Sequence, residues 1–190
     1  MKHAWMVSLA LIGGAAQASV VHFEGQFKPE AVGATGTGSL LLTYDDVART
    51  LAIDAMWSGL SGTTSNAHIH CCTAAPNSGT AGVALAQAGT LPGWVNGLTS
   101  GSYQRLIDLS LANQYSGTYL TNSGGTTALA EKRLIDNLMS GQAYFNIHTT
   151  TFGGGEIRAF VSKVPEPTAY ALAVTGLLAA GLFSRRRQKR

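Results

Sequence analysis

The sequence lacks the residue patterns of several common chemistries. It contains no Gly-x-Ser-x-Gly turn, which argues against a serine nucleophile of the hydrolase type. No pair of acidic residues stands out for general acid and base catalysis. The only two cysteines, Cys71 and Cys72, are adjacent, whereas thiol–disulfide enzymes usually need Cys-x-x-Cys spacing, so a redox role in the cell envelope is the weakest hypothesis. These absences favour a non-catalytic function.

The chain also has few charged residues, 12% of the total, and its positive charge is unevenly placed. The formal net charge is +3, but five of the thirteen basic residues lie between Arg185 and Arg190. From Ser19 to Val164, seven basic residues stand against nine acidic ones, a net charge of −2. Nucleic-acid-binding domains carry basic patches, often interleaved with aromatic residues. The mildly acidic central part therefore argues against a nucleic-acid partner.

The first eighteen residues are organised like a secretory signal peptide. A short positive start, Met1 to His3, precedes an apolar stretch from Ala4 to Ala15. The sequence Ala16-Gln17-Ala18 then matches the small-residue rule for signal peptidase cleavage before Ser19. A buried N-terminal helix is the alternative. The pattern predicts that residues 1–18 are removed and that the protein is exported.

A second terminal unit begins near Pro165-Glu166-Pro167, where two prolines stop regular structure. The segment from Ala169 to Phe183 is apolar and uncharged, and a basic cluster follows it. The cluster consists of Arg185, Arg186, Arg187, Lys189 and Arg190. A helix of this apolar length spans roughly 23 Å, short of the roughly 30 Å hydrocarbon core. A transient membrane span therefore fits better than a permanent one, although an ordinary single-pass anchor stays open.

The combination of Pro-Glu-Pro, a short apolar helix and a terminal arginine run resembles the PEP-CTERM sorting signal. The resemblance implies processing by an exosortase-type membrane enzyme in an envelope-bearing bacterium that makes extracellular polysaccharide. It also implies that residues 164–190 are removed from the mature protein. The implied route passes through the inner membrane and ends in the cell envelope, on the cell surface or outside the cell.

Between the terminal segments, residues 19–163 are predicted to form one mainly β domain. Apolar and polar residues alternate from Thr50 to Trp57, which predicts a half-buried strand, and Gly38 to Tyr44 is its expected partner across a turn at Asp45 to Arg49. The other predicted strands are Val20–Phe27, Ala67–His70, Tyr103–Leu109, Ala143–Thr149 and Glu156–Lys163. About seven antiparallel strands suit a β-sandwich or a small barrel.

One segment of the domain departs from this strand pattern. Ala130, Leu134 and Leu138 recur at helical spacing and Gly141 follows, so Thr127 to Ser140 is predicted to be a helix that covers one end of the sheet. The stretch from Cys72 to Gly101 is rich in small and polar residues without sustained periodicity. It is predicted to be a long connection.

Three histidines and one glutamate are the candidate metal ligands. His68 and His70 are two residues apart, and on a strand this spacing points both side chains to the same face. His148 and Glu156 lie on or beside two later strands and can join them if the strands are neighbours. Three histidines, with or without a carboxylate, suffice as ligands for zinc or copper. The alternative is a polar seam in which the histidines bond to Asn146, Glu156 and each other.

The adjacent cysteines have three possible fates: a vicinal disulfide, two further metal ligands, or paired free thiols. Export favours the disulfide, because thiols oxidise outside the cytoplasm and the sequence offers no third cysteine. Adjacent Cα atoms are about 3.8 Å apart, below the usual disulfide window. The expected role of this bond between Cys71 and Cys72 is a rigid kink where the strand meets the loop.

The motifs Gly38-Ser39-Leu40, Ala67-His68-Ile69-His70, Tyr144-Phe145-Asn146-Ile147-His148-Thr149 and Gly154-Gly155-Glu156-Ile157-Arg158 together resemble the CHRD domain, first described in chordin. The likeness covers roughly Val20 to Val161. It implies a β-rich extracellular module, found in animals in a protein that sequesters growth factors and in bacteria in secreted proteins without an established activity. The chain departs from the pattern at Cys71-Cys72, where a glycine is expected, and at Gly153, where a proline is often found.

Two functions of different classes follow. The first is a non-catalytic surface or matrix module that binds polysaccharide, another protein or a metal. The second is a copper-dependent or zinc-dependent enzyme resembling the superoxide dismutase type, with His22 as a further candidate nitrogen ligand. The two differ in whether a bound metal keeps an open coordination position.

Overall fold

A computed structural model of the chain describes residues 19–165 as eight strands and two α-helices. The strands are β1 (Val20–Pro29), β2 (Thr37–Asp45), β3 (Thr50–Ser58), β4 (Thr64–Cys71), β5 (Val83–Leu85), β6 (Gly101–Asp108), β7 (Ala143–Thr149) and β8 (Ile157–Lys163). The helices are α1 (Gly117–Asn122) and α2 (Thr127–Met139), after a 3₁₀ turn at Ala112–Gln114. None of the helices in this range has the length and apolar character that crossing a membrane requires. The predicted signal peptide, and the segment from Glu166 to the terminal arginines, lie outside the described residues.

All eight strands belong to one antiparallel sheet in the order β5-β4-β7-β8-β1-β2-β3-β6. The sheet curls into a half-barrel. Tyr103 of β6 and Phe145 of β7 lie five strands apart in this order, yet their ring centroids are only 6.5 Å apart. The prediction of a mainly β antiparallel domain is confirmed.

The core lies inside the curl because apolar residues alternate along the strands. On β3, the alternation predicted from sequence is confirmed, since Leu51, Ile53, Ala55 and Trp57 are all buried. Their neighbours on the strand are half-buried or exposed. Each strand therefore has one face in the core and a second face that is free to carry polar groups.

Helix α2 packs over the core as predicted, with Ala130, Leu134 and Leu138 fully buried. It begins after Thr126, whose side chain accepts a hydrogen bond from the N–H of Leu129, and it is followed by Gly141 at φ +70°. A hydroxyl N-cap and a left-handed glycine are the usual boundaries of a helix.

The long connection is more regular than the sequence indicated. It contains the short strand β5, which brings the number of strands to eight rather than about seven. Beyond β5 it runs beside β4, where Leu91 N–H donates to Ala67 O at 2.9 Å and Gly97 N–H donates to Thr64 O at 2.8 Å. Three residues are too few to produce a detectable alternation, which is why β5 could not be predicted.

Candidate functional site

The three predicted histidines share the outer face of the β4–β7 pair. In the register of these antiparallel strands His68 lies opposite Asn146, and His148 lies opposite Asn66. The residues between them along each strand, including Ile69 and Ile147, are fully buried in the core. Because successive strand residues point to opposite faces, burial of the isoleucines turns the histidines outward.

The side chains of His68, His70 and His148 meet, so that one nitrogen from each lies within 4.8 Å of the others. The closest pair is His68 Nδ1 and His148 Nε2, 3.2 Å apart. A tetrahedral zinc site with zinc–nitrogen bonds of about 2.0–2.1 Å places two ligand nitrogens about 3.3 Å apart. One pair is thus already at the separation that a metal ion imposes.

The other nitrogen of each ring faces a backbone carbonyl. His68 Nε2 is 2.6 Å from Gly89 O, His70 Nδ1 is 2.9 Å from Ala81 O, and His148 Nδ1 is 2.9 Å from Gly153 O. A carbonyl only accepts, so each of these nitrogens carries a hydrogen and donates it. In a neutral imidazole, the remaining nitrogen then has a free lone pair. The carbonyls, contributed by three different loops, therefore select the tautomers in which His68 Nδ1, His70 Nε2 and His148 Nε2 can accept.

Burial keeps two of the rings neutral. It lowers the pKa of His70 to about 4 and also lowers the pKa of His68, although the hydrogen bonds to Ala81 and Gly89 oppose the shift. Neutral imidazole is the form that binds metal ions. At neutral pH these two rings therefore need not lose a proton before they bind an ion.

Several buried hydrogen-bond acceptors on this face have no donor within residues 19–165. Among residues 19–165, six buried side-chain nitrogen or oxygen atoms have no hydrogen-bond partner, and three of them lie here: His70 Nε2, Asn66 Oδ1 and Asn146 Oδ1. The neutral His70 ring offers a lone pair at Nε2, and the two amide oxygens are acceptors as well. Buried acceptors are costly when unpaired. A cation bound by the three histidines would satisfy the lone pair of His70 Nε2.

A polar group that the sequence did not predict adjoins the histidines. The side chain of Asn146, which is 1% exposed, donates through Nδ2 to Glu30 Oε2, while Glu30 Oε1 lies 3.5 Å from an Arg158 guanidinium nitrogen. Burial raises the pKa of Glu30, while the charges of Arg158 and His148 and the hydrogen bond from Asn146 act to lower it. Gly155 makes room for this contact, because a Cβ there would lie 2.4 Å from Asn146 Nδ2 and 2.6 Å from Glu30 Oε2.

The predicted ligand Glu156 does not join the histidines. Its buried carboxylate accepts from the N–H of Gly62 at 3.2 Å, from the hydroxyl of Thr149 at 2.7 Å and from the N–H of Ser61. The physical reason is that β8 begins at Ile157, so Glu156 precedes the strand and strand alternation does not govern its direction. Its hydrogen bonds tie the loop at Ser61 to the end of β7.

His22, weighed as a further nitrogen ligand, also lies apart from the group. It is an exposed residue of β1, and its Nδ1 is 3.0 Å from the hydroxyl oxygen of Thr43 on β2. The neighbouring residues Val21 and Phe23 are buried, so alternation turns His22 outward on a strand that does not pair with β4 or β7.

Cys71 and Cys72 are joined by a vicinal disulfide at the end of β4. The backbone N–H of Cys71 donates to Gly82 O at 3.1 Å, next to the Ala81 carbonyl that accepts from His70. Of the alternatives left open by the sequence, the disulfide is the one that the structure contains. It lies where the chain leaves β4 for the loop that returns to His70.

The comparison with protein families covers nearly all of the described domain. The chain matches the family model of the CHRD domain over residues 20–161. It belongs to the CHRD domain family. The match covers all eight strands up to Val161 in β8, and it includes all three clustered histidines. Comparisons with curated proteins and with solved structures gave no significant match.

Proposed function

We propose that this CHRD protein is an exported, non-catalytic module that binds one transition-metal ion, zinc or copper, through His68, His70 and His148. The observation that carries the proposal is the set of three backbone carbonyls, at Gly89, Ala81 and Gly153. They leave an unprotonated nitrogen on each ring in the interior of the cluster.

A metal ion explains the cluster better than a hydrogen-bonded seam does. A seam needs a hydrogen between His68 Nδ1 and His148 Nε2, but when both rings are neutral each already donates its one hydrogen to a carbonyl. Two lone pairs facing each other repel unless a cation lies between them. Hydrogen bonds from the outer nitrogens of histidines to carbonyls also orient the rings in metal sites. Between neutral rings, the polar seam predicted as the alternative therefore lacks a donor at the contact of His68 with His148.

The metal proposal can be tested with untagged protein that has been stripped with a chelator. Titration with zinc and with copper is expected to give one bound ion per chain by calorimetry. Cobalt, used as a spectroscopic probe, is expected to give an absorption spectrum typical of a tetrahedral site with histidine nitrogen ligands.

The matched control for this titration is His22→Ala, which removes a histidine outside the cluster and should still bind one ion. Wild-type protein that binds neither zinc nor copper would overturn the proposal.

The non-catalytic and exported parts of the proposal rest on the family and on the terminal sequences. CHRD membership supports an extracellular-type module without catalysis. The signal-like residues 1–18 and the sorting-like residues 164–190 support export and handling by an exosortase-type enzyme, with exopolysaccharide or a surface protein as the candidate partner.

Mass spectrometry of the protein isolated from the producing cells tests the export route. The mature chain is expected to begin at Ser19 and to lack the apolar segment 169–183, because both terminal segments are predicted to be removed. A comparison with protein made in a host without an exosortase controls for the second cleavage, since that chain should retain its tail. A surface-bound chain that still begins at Met1 would contradict this route.

A further inference from the structure

Asn146 occupies the centre of the polar face that carries the histidines. It lies opposite His68 on β4 and opposite Arg158 on β8, and His148 follows it by two residues on β7. Its side chain is almost completely buried. Its Oδ1 has no hydrogen-bond partner among residues 19–165. A buried amide oxygen beside three metal-ligand candidates requires a donor.

Glu30 determines the direction in which this oxygen points. A carboxylate only accepts hydrogen bonds, so the amide of Asn146 must present its nitrogen to Glu30 and its oxygen away from it. Glu30 is itself held by Arg158, whose guanidinium also donates to Gly79 O at 2.7 Å. The orientation of the Asn146 amide is thus determined by a charged pair rather than left free.

We propose that the Asn146 amide oxygen accepts a hydrogen bond from a water molecule bound to the metal ion, and that Glu30 is the positioning residue for this contact. The inference rests on the proposed metal site. Three histidines leave a fourth position on a tetrahedral ion, and a water held there by Asn146 would occupy that position instead of leaving it open to a substrate, which agrees with a non-catalytic site. Neutral amide oxygens are weak ligands for zinc and copper, which take imidazole readily, so Asn146 contacts the water rather than the ion. Groups that orient a metal site in this way change its affinity by about 10–100-fold.

The test compares metal binding by the wild type, Asn146→Leu and Asn66→Leu. Leucine is close to asparagine in size and removes the oxygen. Asn146→Leu is expected to weaken zinc binding by about 10–100-fold and to shift the cobalt absorption spectrum. Asn66→Leu is the matched control, because Asn66 also lies on this face with an unpartnered oxygen, but within residues 19–165 no hydrogen bond of its side chain fixes the orientation of the amide. It is expected to change the affinity by less than about threefold.

The positioning role of Glu30 is tested by Glu30→Gln alone and with Asn146→Leu. A glutamine amide can donate or accept, so it no longer fixes the orientation of Asn146. Glu30→Gln is expected to weaken zinc binding, and the double variant is expected to bind no more weakly than Asn146→Leu. Such non-additivity is the signature of residues that act through one another. Independent, additive losses would overturn the role of Glu30.

The outcomes separate this inference from the proposed function. If the wild-type protein binds no metal, both the inference and the proposed function are wrong. If the wild type binds one ion while Asn146→Leu binds it with the same affinity and the same cobalt spectrum, only the inference is wrong. Asn146→Ala serves as a second variant without the oxygen should leucine prevent folding, and thermal unfolding without metal verifies that each variant is folded.

Discussion

Replacing Glu156 with alanine is expected to lower the free energy of unfolding by about 3–5 kcal/mol. The carboxylate is fully buried and accepts hydrogen bonds from Ser61, Gly62 and Thr149. Alanine would leave these donors without a partner and would open a cavity where the side chain lay. Chemical denaturation of the metal-free protein measures the loss.

The matched control is Glu24→Ala on β1, where the side chain is exposed and makes no hydrogen bond within residues 19–165. Its effect on the free energy of unfolding is expected to stay within about 0.5 kcal/mol. A loss of similar size in both variants would show that the buried hydrogen bonds of Glu156 are not the cause.

The same carboxylate gives the stability a defined pH dependence. Burial acts to raise the pKa of Glu156, but the hydrogen bonds from Thr149, Ser61 and Gly62 outweigh it and lower the pKa. A group whose pKa is lower in the folded state stabilises the fold above its unfolded pKa, about 4.3 for glutamate. This contribution is lost as the pH falls below about 4.3 and through the folded pKa. The stability difference between the wild type and Glu156→Gln should therefore shrink over that range.

The shared direction of the histidines on each strand was predictable because it depends on strand alternation. His68 and His70 are two residues apart on β4, and Asn146 and His148 are two apart on β7. Once these strands pair, alternation and the burial of the intervening residues place all four side chains on the same face of the sheet. Neither the pairing itself nor the register that places His68 opposite Asn146 could be derived from spacing.

The parts of the site that sequence reasoning missed depend on contacts between distant segments. Glu30 follows Pro29 at the end of β1 and contacts Asn146 from 116 residues away, and no local pattern encodes such a contact. Glu156 was assigned wrongly for a related reason, since the prediction began β8 one residue too early. Its place in the Gly-Gly-Glu-Ile-Arg motif is explained by structure: Gly155 gives space to Asn146, and Glu156 ties down the loop at Ser61.

A substitution at His70 separates the effect on metal binding from the effect on folding most clearly. The His70 ring stacks on Tyr144 at 4.9 Å between centroids, and its buried Nε2 has no hydrogen-bond partner within residues 19–165. His70→Phe keeps an aromatic ring in this place and removes both nitrogens. The loss of the hydrogen bond to Ala81 O destabilises the fold by about 0.5–1.5 kcal/mol. Removal of the unpaired buried acceptor, His70 Nε2, stabilises it by a similar amount. The stability of the metal-free protein is therefore expected to change by less than about 1 kcal/mol.

Metal binding by His70→Phe is expected to fall by about 10²–10³-fold. Structural zinc sites with four ligands bind with about 10–16 kcal/mol, so one ligand accounts for roughly 2.5–4 kcal/mol. The measurement is thermal unfolding with and without saturating zinc, because a bound ligand raises stability in proportion to the logarithm of its affinity. His22→Phe is the control and should keep the full zinc-dependent increase. An equal increase in wild type and His70→Phe would show that His70 is not a ligand, whereas loss of stability without zinc would show that its nitrogens serve the fold.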